Sequence, residues 1–212
     1  MIYPNVDPSL QQHVEQQILP LHDHYDKAHR REHIETVIAN SMELAKHYDV
    51  NPNMVYAIAA YHDTGICEGR ERHHLVSGRI VRSDTRLQRW FNTTEIETMA
   101  QAVEDHRASS QQEPRSLYGK IVAEADRDID SEKIVLRTLQ YGWEHYPQLD
   151  LEAQWERMVA HLEEKYSEKG YLRLWLPESP NAQRLEELRR LIKDRDALRA
   201  LFERLQSPEQ ES

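Results

Sequence analysis

Apolar residues recur along most of the chain at steps of three and four, the rhythm of amphipathic helices. Asp7-Pro8 reads as a helix start, and Leu10, Val14 and Ile18 follow at four-residue spacing until Pro20 ends or kinks the segment. A second helix is predicted from about Arg30 to Tyr48, with Ile34, Val37, Ile38, Met42 and Ala45 on one face. Asn51-Pro52 opens a third, which runs through Met54, Val55, Ile58, Ala59 and Ala60 to His62-Asp63 and stops at Gly65. A helix with His73, Val76, Ile80 and Val81 follows. Asn92 and Glu95 then form a capping-box pattern ahead of Ile96, Met99, Val103 and His106. Leu117, Ile121, Val122 and Ala125 define a helix that ends at Asp126. Two more are expected after Ser131, and a last one from about Asn181 to Leu205 with Leu185, Leu188, Leu191 and Ile192 as its stripe. No alternating strand pattern is sustained, so the fold class is all-α. Neither an internal repeat nor an interdomain linker is visible, which makes residues 1–212 one domain.

Composition narrows the function classes. Six glycines and nine prolines in 212 residues favour helices over turn-rich sheet. A net charge of −10 argues against binding to a nucleic-acid backbone, which needs clustered Lys and Arg. One cysteine, Cys67, excludes an internal disulfide. The opening MIYPNVDPSL has no basic region followed by an apolar one, and no apolar run approaches the ~18 residues of a membrane span. The expectation is a cytoplasmic protein with no membrane partner; its oligomeric state is not readable.

The twelve histidines matter by position. His33 borders the buried face of its helix. His62 and Asp63 follow Ile58 and Ala59 by four, so both project inward from the end of a very apolar helix. Asp126 stands in the same relation to Val122, and His106 lies three after Val103. Imidazoles and carboxylates converging at the inner ends of apolar helices are costly unless a cation joins them, and helix C-termini themselves favour positive charge. Mixed nitrogen and oxygen donors suit transition metals rather than calcium. Taken singly, a buried His is more often a hydrogen-bonded core residue than a ligand, and a His-Asp dipeptide is common. His22 and His24 read as exposed loop residues; His13, His47, His145 and His161 read as surface or boundary positions with no role.

The ordered set resembles the HD superfamily of metal-dependent phosphohydrolases, in particular its small stand-alone bacterial members. DKAHRREHIETV looks like the first motif with His33 as ligand, YHDTG like the central His62-Asp63 pair, and AEADRDID like the last motif with Asp126. ERHHLVSGRIV and EDHRAS resemble the segments that carry further histidines, His73 and His106. The resemblance covers about residues 26–130, leaving a helical extension over about 131–205 and a polar tail, 206–212. It implies an all-α fold, a divalent metal (Mn, Fe, Co, Ni, Mg or Zn) held by His33, His62, Asp63 and Asp126, and hydrolysis of a small phosphate ester such as a nucleotide. Asp63 would also orient the attacking water, His73 and His106 would hold a second metal or donate to the phosphate, and His106 could protonate the leaving group. Arg70, Arg72, Lys120 and Arg127 flank the motifs and are candidate phosphate clamps; an ordinary surface charge accounts equally well for each arginine. Thr64 stands where a branched apolar residue is common. No Gly-Tyr-Pro signature and no Glu-Asp pair after the central motif are present, which argues against the two subfamilies that carry them. The rival function is a catalytically silent HD domain that senses a nucleotide or metal, or serves as a protein-interaction module.

Overall fold

The computed structural model describes residues 2–25, 30–107 and 112–206, and every regular element among them is helical. The chain divides into two compact units, Met1–Arg127 with Trp175–Glu178, and Asp128–Leu174 with Ser179–Ser212. The positions from Asp26 to His29, most of the SSQQ stretch before Glu113, and the tail beyond Gln206 lie outside the described residues.

In the first unit, α1 (Pro8–His13) begins as its sequence predicts, with the Asp7 carboxylate accepting from the backbone of Ser9 and Leu10 at 2.7 and 3.2 Å. It passes into a π-helical turn, Val14–Ile18, and a 3₁₀ segment, Leu19–His24, that accommodates Pro20. Then come α2 (Arg31–Ala45), α3 (Pro52–Tyr61), α4 (His73–Ser83), α5 (Thr93–Asp105) and α6 (Leu117–Ala125). The capping box at Asn92 is present with both of its bonds, 3.0 and 2.8 Å. The third helix, very apolar in sequence, is buried on all sides: every residue from Met54 to Tyr61 is inside. It packs against α2, α5 and α6 and is the axis of the unit, so whatever caps it lies at the centre of the fold.

That burial extends to polar groups. The Tyr61 hydroxyl donates to Asp84 at 2.8 Å and lies 3.0 Å from His13 Nε2, which is left to donate to it. His13 is therefore a buried, bonded residue and not the surface position its spacing implied. His22 is also buried, edge-on to Tyr25 with ring centroids 5.2 Å apart, where an exposed loop residue was expected. His24, His47 and His145 are exposed and His161 is half-buried.

Gly65 does not end α3, which closes at Tyr61 with His62 as its cap; Gly65 sits in a 3₁₀ turn, Thr64–Glu68. Its lack of a side chain serves packing instead. A Cβ there would lie 2.1 Å from the His73 carbonyl oxygen and 2.5 Å from the Ser77 nitrogen, both backbone atoms of α4. The Gly65 N–H donates to Ser77 Oγ at 2.8 Å, so α4 is seated directly on the turn that follows the His-Asp pair.

In the second unit, α7 (Ser131–His145), α8 (Leu151–Tyr166), α9 (Pro180–Lys193) and α10 (Arg195–Gln206) enclose Val135, Leu139, Met158, Leu162, Leu188 and Phe202. The expected single last helix is two. Asp194 leaves helical geometry at ψ 90°, ends α9, and caps α10 by accepting from Ala197 N at 3.0 Å. Among the described residues no helix is long and apolar enough to cross a membrane.

The close approach at Gly65 makes Gly65→Ala a strong test of this packing. It is expected to destabilise the chain by roughly 1–3 kcal/mol, because the atoms it meets are backbone and cannot rotate away. Thermal unfolding reads this directly, and a midpoint equal to wild type would mean that α4 is not held against the turn.

Candidate metal centre

Six side chains from five helices meet at one place. His62 is the C-terminal cap of α3 and Asp63 follows it. His106 caps α5 and Asp126 caps α6. His33 stands in the first turn of α2, and His73 is the first residue of α4. Three of the contributors thus come from helix C-termini, where the partial negative charge of unpaired carbonyls favours a cation.

The imidazoles are oriented by the backbone. Nδ1 of His62 lies 2.7 Å from the Ala59 oxygen, Nδ1 of His106 is 2.6 Å from the Val103 oxygen, and Nδ1 of His73 is 2.7 Å from the Arg70 oxygen. A carbonyl only accepts, so each Nδ1 carries a proton as donor. In the neutral ring each Nε2 then presents its lone pair to the site. The three bonds span three residues, so a histidine at or next to a helix end is steered by its own turn.

Asp63 joins the set. Its Oδ2 lies 3.3 Å from His62 Nε2 and 3.7 Å from His33 Nε2. Its Oδ1 lies 3.3 Å from His73 Nε2 and 3.4 Å from His106 Nε2. Asp126 Oδ1 completes the first side, 3.0 Å from His33 and 3.6 Å from His62. The Nε2 atoms of His73 and His106 are 3.1 Å apart. Two groups with metal-ligating geometry result, His33, His62 and Asp126, and His62, Asp63 and His106.

The electrostatics call for positive charge here. Burial disfavours a charged His62, yet the carboxylates of Asp63 and Asp126 outweigh it and hold His62 well above the ordinary histidine range. Burial likewise opposes ionisation of both carboxylates. His62 and His106 nonetheless hold Asp63 well below the usual range, and His33 and His62 do the same for Asp126. His62 Nε2 is fully buried without a hydrogen bond, although two carboxylate oxygens are near it. A buried imidazole facing two carboxylates answers them as a cation and, once neutral, can offer its Nε2 lone pair to a divalent ion, so the donor set fits the metal that the sequence implied.

The candidate phosphate clamps are dispersed. Arg70 and Arg72 are exposed and line a cavity of about 530 Å3 with Glu68, Glu71 and Arg79, along the segment leading into His73. Lys120 pairs with Glu113 at 2.5 Å. Arg127 is buried, with its guanidinium 3.4 Å from Glu124, so it belongs to the packing behind Asp126 rather than to an open surface. His29 lies outside the described residues.

Several supports were not anticipated. The Asn40 amide donates to the Ala125 carbonyl at 3.3 Å and ties the end of α6 to α2. Thr64, the departure from the expected apolar residue, is buried with its hydroxyl donating to the Tyr61 carbonyl at 2.8 Å, which satisfies the last turn of α3. The Tyr25 hydroxyl donates to the Thr64 carbonyl at 3.0 Å. A small polar residue just after a helix-ending His-Asp pair was the available signal for the second of these; the other two depend on residues distant in sequence.

The family model of the HD domain matches residues 30–129. No curated protein and no solved structure matches the chain. The match spans all six residues of the centre, from His33 to Asp126. The superfamily it describes is one of metal-dependent phosphohydrolases. With its His-Asp pair at the end of a buried helix and its matched segment enclosing the whole cluster, the chain carries an HD domain over residues 30–129.

Proposed function

We propose that this chain is a metal-dependent hydrolase of a phosphomonoester or phosphodiester, acting on a nucleotide or another small molecule in the cytoplasm. The observation that carries the reading is Asp63, a buried carboxylate whose two oxygens face two different pairs of imidazoles. A structural carboxylate needs one partner, whereas this one is shared as a bridging ligand would be. In this reading residues 30–129 supply the reaction and the second unit is an extension of the domain.

His33, His62, Asp63 and Asp126 would hold a divalent ion, which supplies charge neutralisation at the phosphoryl oxygens and acidifies water. Asp63 has the further task of orienting water: its oxygens are fixed from both sides and can accept a proton without moving. His73 and His106 face each other at 3.1 Å, a distance at which two Nε2 atoms share one proton or meet a common cation. We favour the cation, because Asp63 Oδ1 lies 3.3 and 3.4 Å from the same two atoms and would complete a second ligand set. Arg70 and Arg72, exposed on the segment entering α4, would meet the phosphate.

Three outcomes test this reading. Asp63→Asn keeps the size of the side chain but removes the charge. It should lose metal retention and reduce turnover by about 10²-fold or more, the scale of losing a charge-stabilising group, while far-ultraviolet circular dichroism stays helical. Unchanged metal content in that variant would end the ligand assignment. Elemental analysis should find two metal equivalents in wild type and one in His106→Ala, with His47→Ala as an exposed control; one equivalent in both would assign the His73–His106 pair to proton transfer. Chelation should lower the unfolding temperature, since at a hundredfold excess over Kd a ligand stabilises by about 2.7 kcal/mol. Firmly bound metal with no turnover across nucleotides and phosphodiesters would favour the sensor function.

A further inference from the structure

The second unit contains a cavity of about 430 Å3 whose lining is basic, in a chain whose net charge is −10. Arg157, His161 and Lys165 line it from one face of α8 at successive four-residue steps, and Arg137 lines it from α7. Arg157 and Lys165 thus bring two cationic side chains to the cavity from the same face, two turns apart. Its acidic lining residue is Asp128, which takes Lys133 at 3.2 Å and stands 3.8 Å from Arg137.

Arg157 shows that the site is built. Its Nε donates to Gln154 Oε1 at 3.1 Å and its Nη2 to the Thr138 carbonyl at 2.5 Å, both neutral acceptors. Among the described residues no carboxylate pairs with it. Gln154 is itself fixed, donating to the carbonyls of Gly142 and Tyr146 at 3.1 and 2.8 Å. The guanidinium lies 5.7 Å from the centre of the Tyr146 ring. Gly142 makes room for it: a Cβ at that position would stand 2.2 Å from Arg157 Nη2. A cation locked in place by neutral groups, with its charge unanswered, is preorganised for an anion. Burial, with Lys165 and Arg157 beside it, also holds His161 below its ordinary value, as expected where positive charge already dominates.

At the rim, Tyr141 is 50% exposed and lies flat on His145, with ring centroids 4.0 Å apart and planes 13° from parallel. A planar platform beside a cationic cavity offers stacking to a ring and ion pairing to a phosphate. The volume is that of a small-molecule site. We propose that this cavity binds a nucleoside phosphate, with Arg137, Arg157 and Lys165 on the phosphate and Tyr141 against the base, at residues distinct from those of the metal centre.

The test is calorimetric titration of the full chain carrying Asp63→Ala, in chelator, with AMP, ribose 5-phosphate and adenosine. These conditions remove metal-dependent binding at the HD centre. AMP should bind, ribose 5-phosphate should bind more weakly, and adenosine should not bind. Arg157→Gln and Lys165→Gln should each weaken AMP by about tenfold or more, the scale of one charged hydrogen bond. Gly142→Ala should do the same by displacing Arg157 without changing any charge. Absence of AMP binding, adenosine binding as tight as AMP, or AMP affinity unchanged in folded Arg157→Gln and Lys165→Gln would overturn the proposal.

Discussion

The first unit is organised around negative charge placed where water cannot neutralise it. Asp63 is 2% exposed, at the end of the most buried helix of the chain, and Asp126 closes a second apolar helix beside it. Carboxylates in such a place are tolerated only with positive charge close by. The protein surrounds them with four imidazoles, three of which have Nδ1 tied to a backbone carbonyl within their own turn. An imidazole is the group for this task, because it can answer the carboxylates as a cation or, once neutral, hand its lone pair to a metal. The same arrangement that makes the centre electrostatically demanding gives it a donor set suited to a divalent ion.

Placing that centre requires rigid neighbours. The α3 helix is enclosed on every side, so the His62-Asp63 pair has little freedom to drift. The Gly65–Ser77 contact seats α4, and through it His73, directly against the chain that leaves Asp63. The Asn40 amide binds the last turn of α6, and with it Asp126, to the helix that bears His33. Asp63 with His73, and Asp126 with His33, are thus coupled by hydrogen bonds that have no chemistry of their own. Functional sites tolerate displacements well below an ångström, and such contacts, more than the ligands, set the tolerance.

The second unit uses charge in the opposite sense. Its helices are laced on the outside by pairs such as Arg199–Glu152 and Arg204–Glu132, which balance locally. Against that background the cavity between α7 and α8 stands apart, because Arg157 is bonded only to neutral oxygens. An acidic overall charge and a basic pocket are compatible: the first governs what the surface repels at long range, the second what a concave site holds at contact.

Much of this was present in the chain itself. The helical rhythm, the caps at Asp7, Asn51 and Asn92, and the spacing of His62, Asp63 and Asp126 from apolar neighbours one turn back are local properties, and local geometry is what a sequence encodes directly. The order His33, His62-Asp63, Asp126 added the family. What escaped depends on residues far apart in the chain. His13 and His22 sit on the border of their helices' apolar faces, and only packing decides that they are inside. Gly65 read as a helix stop because glycine is permissive, yet its purpose is to let α4 approach. The break at Asp194 involves neither glycine nor proline, only an aspartate that can cap, and the step of six from Ile192 to Leu198, off the three-and-four rhythm, was its faint trace. The meeting of His73 and His106 on Asp63, and of Arg157 with Gly142, brings together side chains that no periodicity relates. Periodicity specifies which face of a helix is buried; which buried faces meet is settled by packing, and there the tertiary structure alone decides.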